Sequence, residues 1–383
     1  MPAEGLHRPA WAEISASAIA HNVRSMKALI GSSSLCAVVK ADAYGHGAPL
    51  VARVALDAGA DSLGVAIIDE GIELRASGVT APILVQAEAV APAIEDGFNN
   101  SLTLTVGSLQ GARDVVSVAD QLGGTHRVHV KVDTGMHRMG VDPRDVDEVV
   151  NTLLAAQSID LEGLFTHFSV ADGSSAADRA FTRGQIELFD QIAAGLAARG
   201  ACPRVRHLAN SAGAMAYPSS RQSMVRSGLA LYGLYTQPWL SGALEELGVD
   251  LRTVMTLRAR VSAVRRVDAG ERPSYGRQRA LERPSNVATV PFGYADGYPR
   301  RLFEADAQVL LHGRRYRLAG VVTMDQLVID CGDDPVEVGE DVVLLGRQGD
   351  EEITAEELAE RAGTITHEII CAVGARVPRH LVD

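Results

Sequence analysis

The chain is 383 residues long, with 46% hydrophobic and 22% charged residues, and this composition argues against an intrinsically disordered protein. Its 36 Lys and Arg residues against 48 Asp and Glu residues give a net charge of −12, which argues against a nucleic acid or an anionic membrane as partner. The length predicts two domains, or one large and one small.

The cysteines and the N-terminal residues bear on metal binding and location. The four cysteines, at positions 36, 202, 331 and 371, form no C-x-x-C pair, so the sequence indicates neither a zinc site nor a disulfide framework. Residues 1–10 contain no apolar core of signal-peptide length, and no uncharged apolar run of about eighteen residues occurs. We therefore expect a cytoplasmic protein without a metal site or a membrane partner.

From about residue 30 to 235, apolar strand-like runs alternate with longer amphipathic, Ala-rich stretches. Strand–helix alternation favours parallel pairing through right-handed crossovers, and eight such units close into a (β/α)₈ TIM barrel with its chemistry at the carboxyl ends of the strands. The helical patterns include Leu50–Ala58, Asp145–Ala156 and Ala176–Ala198. The predicted strands are Leu35–Lys40, Ser62–Ile68, Pro82–Ala87, Leu102–Val106, Val128–Val132, Leu161–Phe168, Val205–Ala209 and Val225–Tyr232.

After about residue 245, short alternating runs separated by Gly, Pro and Asp predict a mostly antiparallel β domain. One helix is predicted over Ala355–Ala362, with Thr354 as its N-cap and Glu357 completing a capping box. We therefore predict a barrel over residues 11–245 and a β domain over residues 246–383, with residues 1–10 packing with the β domain. The predicted strand-like runs are Thr253–Val264, Val287–Val290, Gln308–Leu311, Arg315–Val322, Val328–Cys331 and Asp341–Leu345.

Lys40 is the most informative residue of the barrel, because it ends an apolar strand and precedes a turn of Asp, Tyr, Gly and His residues. A lysine there keeps its stem in apolar surroundings, and desolvation lowers the pKa of its amine. Only the neutral amine attacks a carbonyl, so this position suits a lysine that binds an aldehyde cofactor such as pyridoxal phosphate. The alternative is a surface lysine that precedes a glycine turn.

Further polar side chains lie in or near the carboxyl ends of other predicted strands. Isolated residues of these types would be ordinary turn residues, but their coincidence at one predicted end of the barrel favours a functional site. They are Gln86, Lys131, Asp133, Arg138, His167, Asn210, Ser211 and Arg226.

The segment V-V-K-A-D-A-Y-G-H-G, residues 38–47, resembles the cofactor-lysine segment of the alanine racemase family. Four more segments resemble motifs of that family and occur in the same order, so the resemblance extends over nearly the whole chain. These segments are residues 131–140, 274–277, 292–300 and 322–326. The resemblance implies a fold-type III pyridoxal phosphate enzyme that interconverts L- and D-alanine through a Schiff base and supplies D-alanine for peptidoglycan. It also implies a homodimer with shared active sites.

The resemblance implies a role for individual residues. Lys40 and the partner subunit's Tyr275 are the acid–base pair on opposite faces of the substrate Cα. Arg226 faces the pyridine nitrogen of the cofactor, and because an arginine keeps its proton, that nitrogen stays unprotonated. His167 hydrogen-bonds this arginine. The residues implied at the cofactor phosphate are Tyr44, Ser211, Gly228, Leu229 and His367, and Asn210 is a further cofactor-binding residue.

The resemblance also implies the residues around the substrate. Arg138 contacts the cofactor and the substrate, and a carbamylated Lys131 orients this arginine. A surface loop with a Lys–Asp pair is the alternative for that segment. The remaining implied residues are Tyr294 and Met324 in the substrate pocket, with Asp172 and Arg300 in the entrance corridor.

Two positions depart from the family pattern. His367 replaces a tyrosine that narrows the entrance, and Val321 stands where an arginine often lines the corridor. Both changes favour a wider substrate range, so a serine or broad-specificity racemase of the same fold is the nearest alternative. A decarboxylase with a similar barrel and a non-catalytic pyridoxal-phosphate-binding barrel protein are the others, and the predicted β domain argues against the latter.

Overall fold

The computed structural model describes residues 7–245 and 249–383. The chain forms two compact units. The first contains Ala18–Ala43 and Ala48–Arg252, and the second contains the residues up to Ser17, the short segment Tyr44–Gly47, and Thr253–Asp383. The four residues Tyr44–Gly47, which follow Lys40 in the chain, thus belong to the second unit.

The first strand, β1 (Ala10–Ser15), lies in the second unit. It pairs antiparallel with residues 255–259 and parallel with residues 379–382. Residues 11–15 thus belong to the β unit, whereas we predicted that the barrel starts at residue 11. The reason is the burial of Ala10, Ala12 and Ile14 in the core of this unit. Of the predicted packing segment 1–10, residues 1–6 lie outside the described residues.

Eight parallel strands form the first unit, which confirms the predicted (β/α)₈ barrel. Their hydrogen-bonded order is β8-β7-β6-β5-β4-β3-β2-β9. At the remaining seam, the backbone N–H groups of Arg226 and Ser223 donate to the carbonyls of Ala209 and Arg206 at 3.0 and 3.1 Å, which closes the ring. The strands are β2 (Ser34–Val38), β3 (Ser62–Val65), β4 (Ile83–Glu88), β5 (Thr103–Val106), β6 (His126–Lys131), β7 (Ile159–Phe165), β8 (Val205–His207) and β9 (Met224–Ser227).

Helices connect the barrel strands. The predicted helix Ala176–Ala198 has the predicted bounds, and it begins with a capping box in which Ser175 and Asp178 exchange hydrogen bonds. The helices of this region are Ala16–Ile30, Ala48–Asp57, Ile68–Ala76, Ala91–Asn99, Leu109–Leu122, Val146–Leu154, Ala176–Ala198, Ser211–Ala216 and Pro238–Glu245, with a 3₁₀ turn at Pro218–Ser220. Because helices cover the strands, the strands read as nearly continuous apolar runs.

The last predicted barrel strand, Val225–Tyr232, is shorter in the structure. Strand β9 ends at Ser227, and Leu229–Tyr232 forms a 3₁₀ turn. The reason is a side chain: the hydroxyl of Ser211 accepts hydrogen bonds from the backbone N–H groups of Gly228 and Ala230, which turns the chain away from the strand.

The second unit contains two sheets and is mostly antiparallel, as predicted. The larger sheet has the order β14-β13-β16-β10-β1-β18, with β17 attached to β16, and the smaller has the order β11-β12-β15. Among these pairings only β1 with β18 is parallel within the described chain. The strands are β10 (Met255–Arg260), β11 (Ala263–Val267), β12 (Ser285–Val290), β13 (Gln308–Leu311), β14 (Arg314–Arg317), β15 (Leu327–Asp330), β16 (Asp341–Gln348), β17 (Glu351–Ile353) and β18 (Arg379–Val382).

The helices of this unit are Ala355–Ala362, with the predicted bounds, and Thr366–Cys371, which we did not predict. Thr354 caps the first as expected, accepting from the N–H of Glu357. The carboxylate of Glu357 pairs with Arg315 and Arg361 instead of completing a capping box. Three 3₁₀ turns are Tyr275–Arg277, Tyr294–Asp296 and Arg300–Leu302. Within residues 7–245 and 249–383, every helix is too short or too polar to cross a membrane.

Candidate active site

Lys40 lies just past the end of β2 and begins an unusual helical turn, Lys40–Gly45. Ala41, Asp42, Ala43 and Tyr44 all have φ of +52° to +53°, so the turn is left-handed. This conformation costs a non-glycine residue roughly 1–2 kcal/mol, and consecutive residues seldom adopt it. Strained backbone of this kind persists where the surrounding structure holds it, and it is typical of functional sites.

Two carboxylates of the barrel unit hold this turn. The carboxylate of Glu70 accepts from the backbone N–H of Ala41 at 2.6 Å and from that of Ala66 at 2.7 Å. Asp42 accepts from the N–H of Ala48 at 2.7 Å. These bonds fix the backbone that carries the Lys40 side chain. Sequence reasoning missed Glu70, although an acidic residue in the first turn of the helix after β3 was a visible signal.

Arg226 in β9 is buried, with 2% of its surface exposed, and most of its donors are used. Its Nη1 lies 2.7 Å from Nδ1 of His207, and its Nη2 lies 2.9 Å from the carbonyl oxygen of Thr166 and 3.2 Å from Nδ1 of His167. Burial lowers the pKa of the guanidinium to about 10, so it stays charged near neutrality. The buried Nε has no hydrogen-bond partner among the described residues, which leaves one donor for a ligand.

The two histidines around Arg226 are neutral. Burial, followed by the charge of Arg226, lowers the pKa of both His167 and His207 well below 6.5. Each can therefore accept a hydrogen bond from the guanidinium through its Nδ1. The contact between His167 and Arg226 is the one that the family resemblance implies. His207 was missed, and its only signal was a histidine inside a predicted barrel strand.

Lys131 at the end of β6 is also buried, with 4% exposed. Burial is the main cause that lowers the pKa of its amine to about 8, and the charges of Arg138 and Arg226 add to the effect. The charge of Lys40 contributes as well, so these four basic side chains interact at one end of the barrel. Such a concentration of positive charge suits an anionic ligand.

The loop that carries Arg138 is shaped by Asp133. One carboxylate oxygen of Asp133 accepts from the backbone N–H groups of Gly135 and His137 at 2.9 and 3.1 Å. Gly135 has φ of +136° and His137 has φ of +54°, so the loop depends on left-handed backbone at both residues. The role of Asp133 is therefore to fold the loop in front of Arg138.

The predicted phosphate residues of the barrel lie together between the ends of β8 and β9. The hydroxyl of Ser211 lies 2.9 Å from the backbone nitrogen of Gly228. Asn210 caps the helix Ser211–Ala216 by accepting from the N–H of Gly213 at 2.8 Å. Leu229 begins the following 3₁₀ turn. Because the hydroxyl of Ser211 accepts from the backbone N–H groups of Gly228 and Ala230, its own hydrogen is the donor that it can offer to a phosphate group.

Asp172 lies in the barrel unit after β7 and is half-buried. Its backbone carbonyl accepts a hydrogen bond of 2.9 Å from the indole nitrogen of Trp239. Its role in an entrance corridor stays a prediction.

A second group of predicted residues lines one cavity of about 530 Å³ in the β unit: Tyr275, Tyr294, Arg300 and Met324. Tyr275 is 73% exposed, Tyr294 42% and Met324 53%. Ser274, which precedes the tyrosine, donates to the carbonyl oxygen of Val321 at 2.7 Å. Val321 itself is buried within the β unit.

Tyr44 and His367 form the third group, also in the β unit. Their ring centroids are 6.0 Å apart. Burial raises the pKa of the Tyr44 hydroxyl well above its ordinary value. Arg379 donates two hydrogen bonds to the carbonyl oxygen of Gly45, which ties the segment Tyr44–Gly47 to the C-terminal residues. These two predicted phosphate contacts are thus neighbours in the structure.

The barrel group fits a phosphorylated pyridine aldehyde. Lys40 would supply the amine, the hydroxyl of Ser211 would donate its hydrogen to the phosphate, and the unpartnered Nε of Arg226 suits a ring nitrogen that carries a lone pair. A closed barrel with such a group, followed by an antiparallel β unit, defines the class of barrel-type pyridoxal-phosphate-dependent racemases.

The chain belongs to the alanine racemase family. Residues 14–236 match the family model described as alanine racemase, N-terminal domain, and residues 254–381 match the model described as alanine racemase, C-terminal domain. The two models together cover nearly the whole chain.

Individual relatives are similar over their full length. The chain is 45% identical to the alanine racemase of Symbiobacterium thermophilum over 380 residues, which are 97% of each protein. It is 41% identical to the alanine racemase of Desulfovibrio desulfuricans over 378 residues, which are 98% of this chain and 99% of that protein. The crystal structure of alanine racemase from Streptomyces lavendulae matches with a TM-score of 0.91 at 37% identity, covering 99% of this chain and 98% of that chain.

Proposed function

We propose that the protein interconverts L- and D-alanine with pyridoxal phosphate as its cofactor, acting as a cytoplasmic homodimer that supplies D-alanine for peptidoglycan. The observation that carries the proposal is the buried Arg226, whose Nε is left without a partner beside two buried, neutral histidines. Bound pyridoxal phosphate would supply an aldehyde that condenses with amines and a ring that withdraws electrons from the substrate Cα.

Arg226 directs this chemistry towards racemisation. Its guanidinium keeps its proton, because even in this buried position its pKa stays near 10. It would therefore hold the ring nitrogen of the cofactor by a hydrogen bond from Nε without protonating it. This would limit how far the cofactor draws electrons from the substrate Cα and so favour return of a proton to that same carbon.

Lys40 and the partner subunit's Tyr275 are the acid–base pair that racemisation requires, because one removes a proton from Cα and the other delivers a proton to the opposite face. The amine of Lys40 serves one face of Cα, and the phenol hydroxyl of the partner subunit's Tyr275 serves the other. The exposure of Tyr275 supports this assignment, because a side chain that is 73% exposed is available to a second subunit. Its neighbours Tyr294 and Met324 line the same cavity and serve as substrate contacts.

Lys131 is proposed to carry a carbamate. Its amine, with a pKa of about 8, is partly neutral near physiological pH, and a neutral amine adds carbon dioxide with release of one proton. The carbamate anion then pairs with the guanidinium of Arg138 and orients it towards the cofactor and the substrate. This replaces a costly buried ammonium by a pair of opposite charges.

The remaining proposed roles concern the cofactor phosphate and the entrance corridor. The corridor residues have polar side chains and are half-buried or exposed. The residues proposed at the phosphate are Tyr44, Ser211, Gly228, Leu229 and His367, with Asn210 as a further cofactor-binding residue. Those proposed in the corridor are Asp172 and Arg300.

A racemase of wider specificity is the second candidate. His367 beside Tyr44 and the uncharged Val321 favour it, because a smaller ring and a missing charge leave more room for a larger or more polar substrate. The test is a chiral assay of the purified protein with pyridoxal phosphate on alanine, serine and lysine, each from both enantiomers. Turnover of alanine far above the others supports the first proposal, and comparable turnover of serine or lysine contradicts it.

A further inference from the structure

Two imidazoles and a carboxylate extend the contacts of Arg226 through the barrel wall. Nε2 of His207 lies 2.8 Å from Nδ1 of His129, and Nε2 of His129 lies 3.2 Å from a carboxylate oxygen of Glu162. Together with the 2.7 Å contact from Arg226 to His207, these distances make one continuous series of hydrogen bonds. We name these four residues the Arg226 relay. The proposed function uses Arg226 and the neutral state of His207, but neither His129 nor Glu162.

The direction of each hydrogen bond in the relay is determined. A guanidinium only donates, so Nδ1 of His207 accepts and its proton resides on Nε2. That proton is donated to Nδ1 of His129, whose own proton therefore resides on Nε2 and is donated to the carboxylate of Glu162. A second proton on either imidazole would face another donor. The series is therefore consistent with two neutral rings in one tautomer and one ionised carboxylate.

The structure provides room and support for both rings. A Cβ atom at Gly163 in β7 would lie 2.4 Å from the His129 ring, so only glycine leaves space for this histidine. The ring of Phe165 stacks on the ring of His207 with their centroids 4.5 Å apart and their planes 7° apart. His129 and His207 are both almost completely buried. Neither ring can turn without losing these contacts.

Glu162 anchors the outer end of the relay. Its side chain is 19% exposed, and Nη2 of Arg204 lies 2.8 Å from one carboxylate oxygen. The other oxygen accepts from His129. The arginine on one side and the imidazole N–H on the other both favour the ionised carboxylate. The charge of Arg226 is thus connected to an opposite charge near the barrel surface.

We propose that Glu162 and His129 are positioning residues for Arg226, because through His207 they hold the guanidinium so that its Nε–H remains directed at the ligand. This inference rests on the role proposed above for Arg226. Without the carboxylate, the His129 ring can take the other tautomer, His207 follows, and an N–H of His207 then faces an N–H of Arg226. Glu162 therefore affects the cofactor ring without touching it.

The experiment compares Glu162→Leu, Glu162→Gln and the control Asp160→Leu. Asp160 lies two residues earlier in β7 and also pairs with Arg204, but it makes no hydrogen bond with His129 among the described contacts. The readouts are the tautomers of His129 and His207 by ¹⁵N NMR of protein without cofactor, the dissociation constant of pyridoxal phosphate, and kcat and KM for alanine. Circular dichroism checks that each variant is folded.

We expect Glu162→Leu to lose the Nε2–H tautomer of His129, to weaken pyridoxal phosphate binding, and to lower kcat about tenfold, the effect of leaving one buried donor unpaired. Its KM should change less than twofold. Glu162→Gln should recover most of kcat, since the amide oxygen accepts from His129. Asp160→Leu should match the wild type. If Glu162→Leu does not fold, His129→Leu breaks the relay at the next residue. It should give the same losses of cofactor affinity and kcat, and its NMR readout is the tautomer of His207.

The proposal would be overturned if the folded Glu162→Leu or His129→Leu variant kept the wild-type histidine tautomers, cofactor affinity and kcat. It would also be overturned if Asp160→Leu lost as much cofactor affinity and kcat as the relay variant. A failure of the proposed function gives a different result. In that case the wild type does not racemise alanine, while the NMR spectra and the cofactor affinity still decide whether the relay positions Arg226.

Discussion

The carboxylate of Glu70 accepts a hydrogen bond of 2.6 Å from the backbone N–H of Ala41, the residue that follows Lys40. The same carboxylate also holds the N–H of Ala66, at the end of the neighbouring strand β3. One side chain thus connects the strained turn at Lys40 to the adjacent barrel strand. This arrangement supports a lysine whose position is set by its backbone as well as by its own side-chain contacts.

Glu70→Ala should destabilise the turn, because it removes the acceptor from backbone donors near Lys40. We expect the free energy of unfolding to fall by about 1–3 kcal/mol and the affinity for pyridoxal phosphate to fall with it. Urea denaturation and a cofactor titration measure the two effects. Glu73→Ala is the control, since Glu73 lies exposed on the same helix. Equal stability of the two variants would contradict the role of Glu70.

Lys40→Ala should abolish both the visible absorbance of the lysine-bound cofactor and the racemisation of alanine, because no other amine is proposed to serve either purpose. Absorption spectroscopy and a chiral alanine assay measure the two losses. Lys27→Ala changes a lysine that pairs with Asp61 and should leave both unchanged. Racemisation that persists in Lys40→Ala would rule out the assignment of Lys40.

Tyr275→Phe should keep the cofactor and lose proton transfer on one face of the substrate, since the phenylalanine ring has no ionisable hydroxyl. Solvent deuterium exchange into L- and D-alanine measures each direction separately. We expect the exchange rates of the two enantiomers to become strongly unequal. Exchange that stays as in the wild type for both enantiomers would show that another group acts on that face.

Lys131 should make stability depend on pH. Its amine has a pKa of about 8 when folded and an ordinary value of 10.5. Between these values the unfolded chain binds more protons, so this residue makes stability rise with pH from about 8 to 10, and it lowers stability below pH 8. The penalty at pH 7 is at most about 3 kcal/mol.

Lys131→Met should remove that penalty and that slope. Urea denaturation in buffers free of carbon dioxide, at pH 7, 8, 9 and 10, gives the two stability curves. We expect the variant to gain most at pH 7 and the curves to converge towards pH 10. A constant difference between the curves at all four pH values would show that the amine is not the titrating group.

His367→Tyr should restrict the substrate range, because it restores the larger ring beside Tyr44. We expect the ratio of kcat/KM for alanine to kcat/KM for serine to rise about tenfold, because a small steric difference in a pocket typically changes discrimination between substrates by about this factor. His312→Tyr is the control, since His312 pairs with Glu340 elsewhere in the β unit. An unchanged ratio in His367→Tyr would show that this position does not control specificity.

Several features of the fold were predictable from local pattern. The eight barrel strands leave apolar runs in the sequence, and each ends near a polar or glycine residue, so their number and approximate bounds were correct. The last strand was predicted too long, because an apolar run does not distinguish a strand from the 3₁₀ turn Leu229–Tyr232. Residues 11–15 were predicted to belong to the barrel, whereas they pair in β1 with residues more than 240 positions away in sequence, a contact that local pattern does not record.

By itself the sequence determined the barrel, the antiparallel unit and the residue types at the candidate site, because periodicity and short motifs record which faces are buried and where strands end. Only the tertiary structure decided the left-handed turn at Lys40, the neutral histidines around Arg226 and the relay to Glu162. These depend on contacts between side chains from different strands and on their burial. The spacing of residues along one segment specifies neither these contacts nor the burial of the side chains.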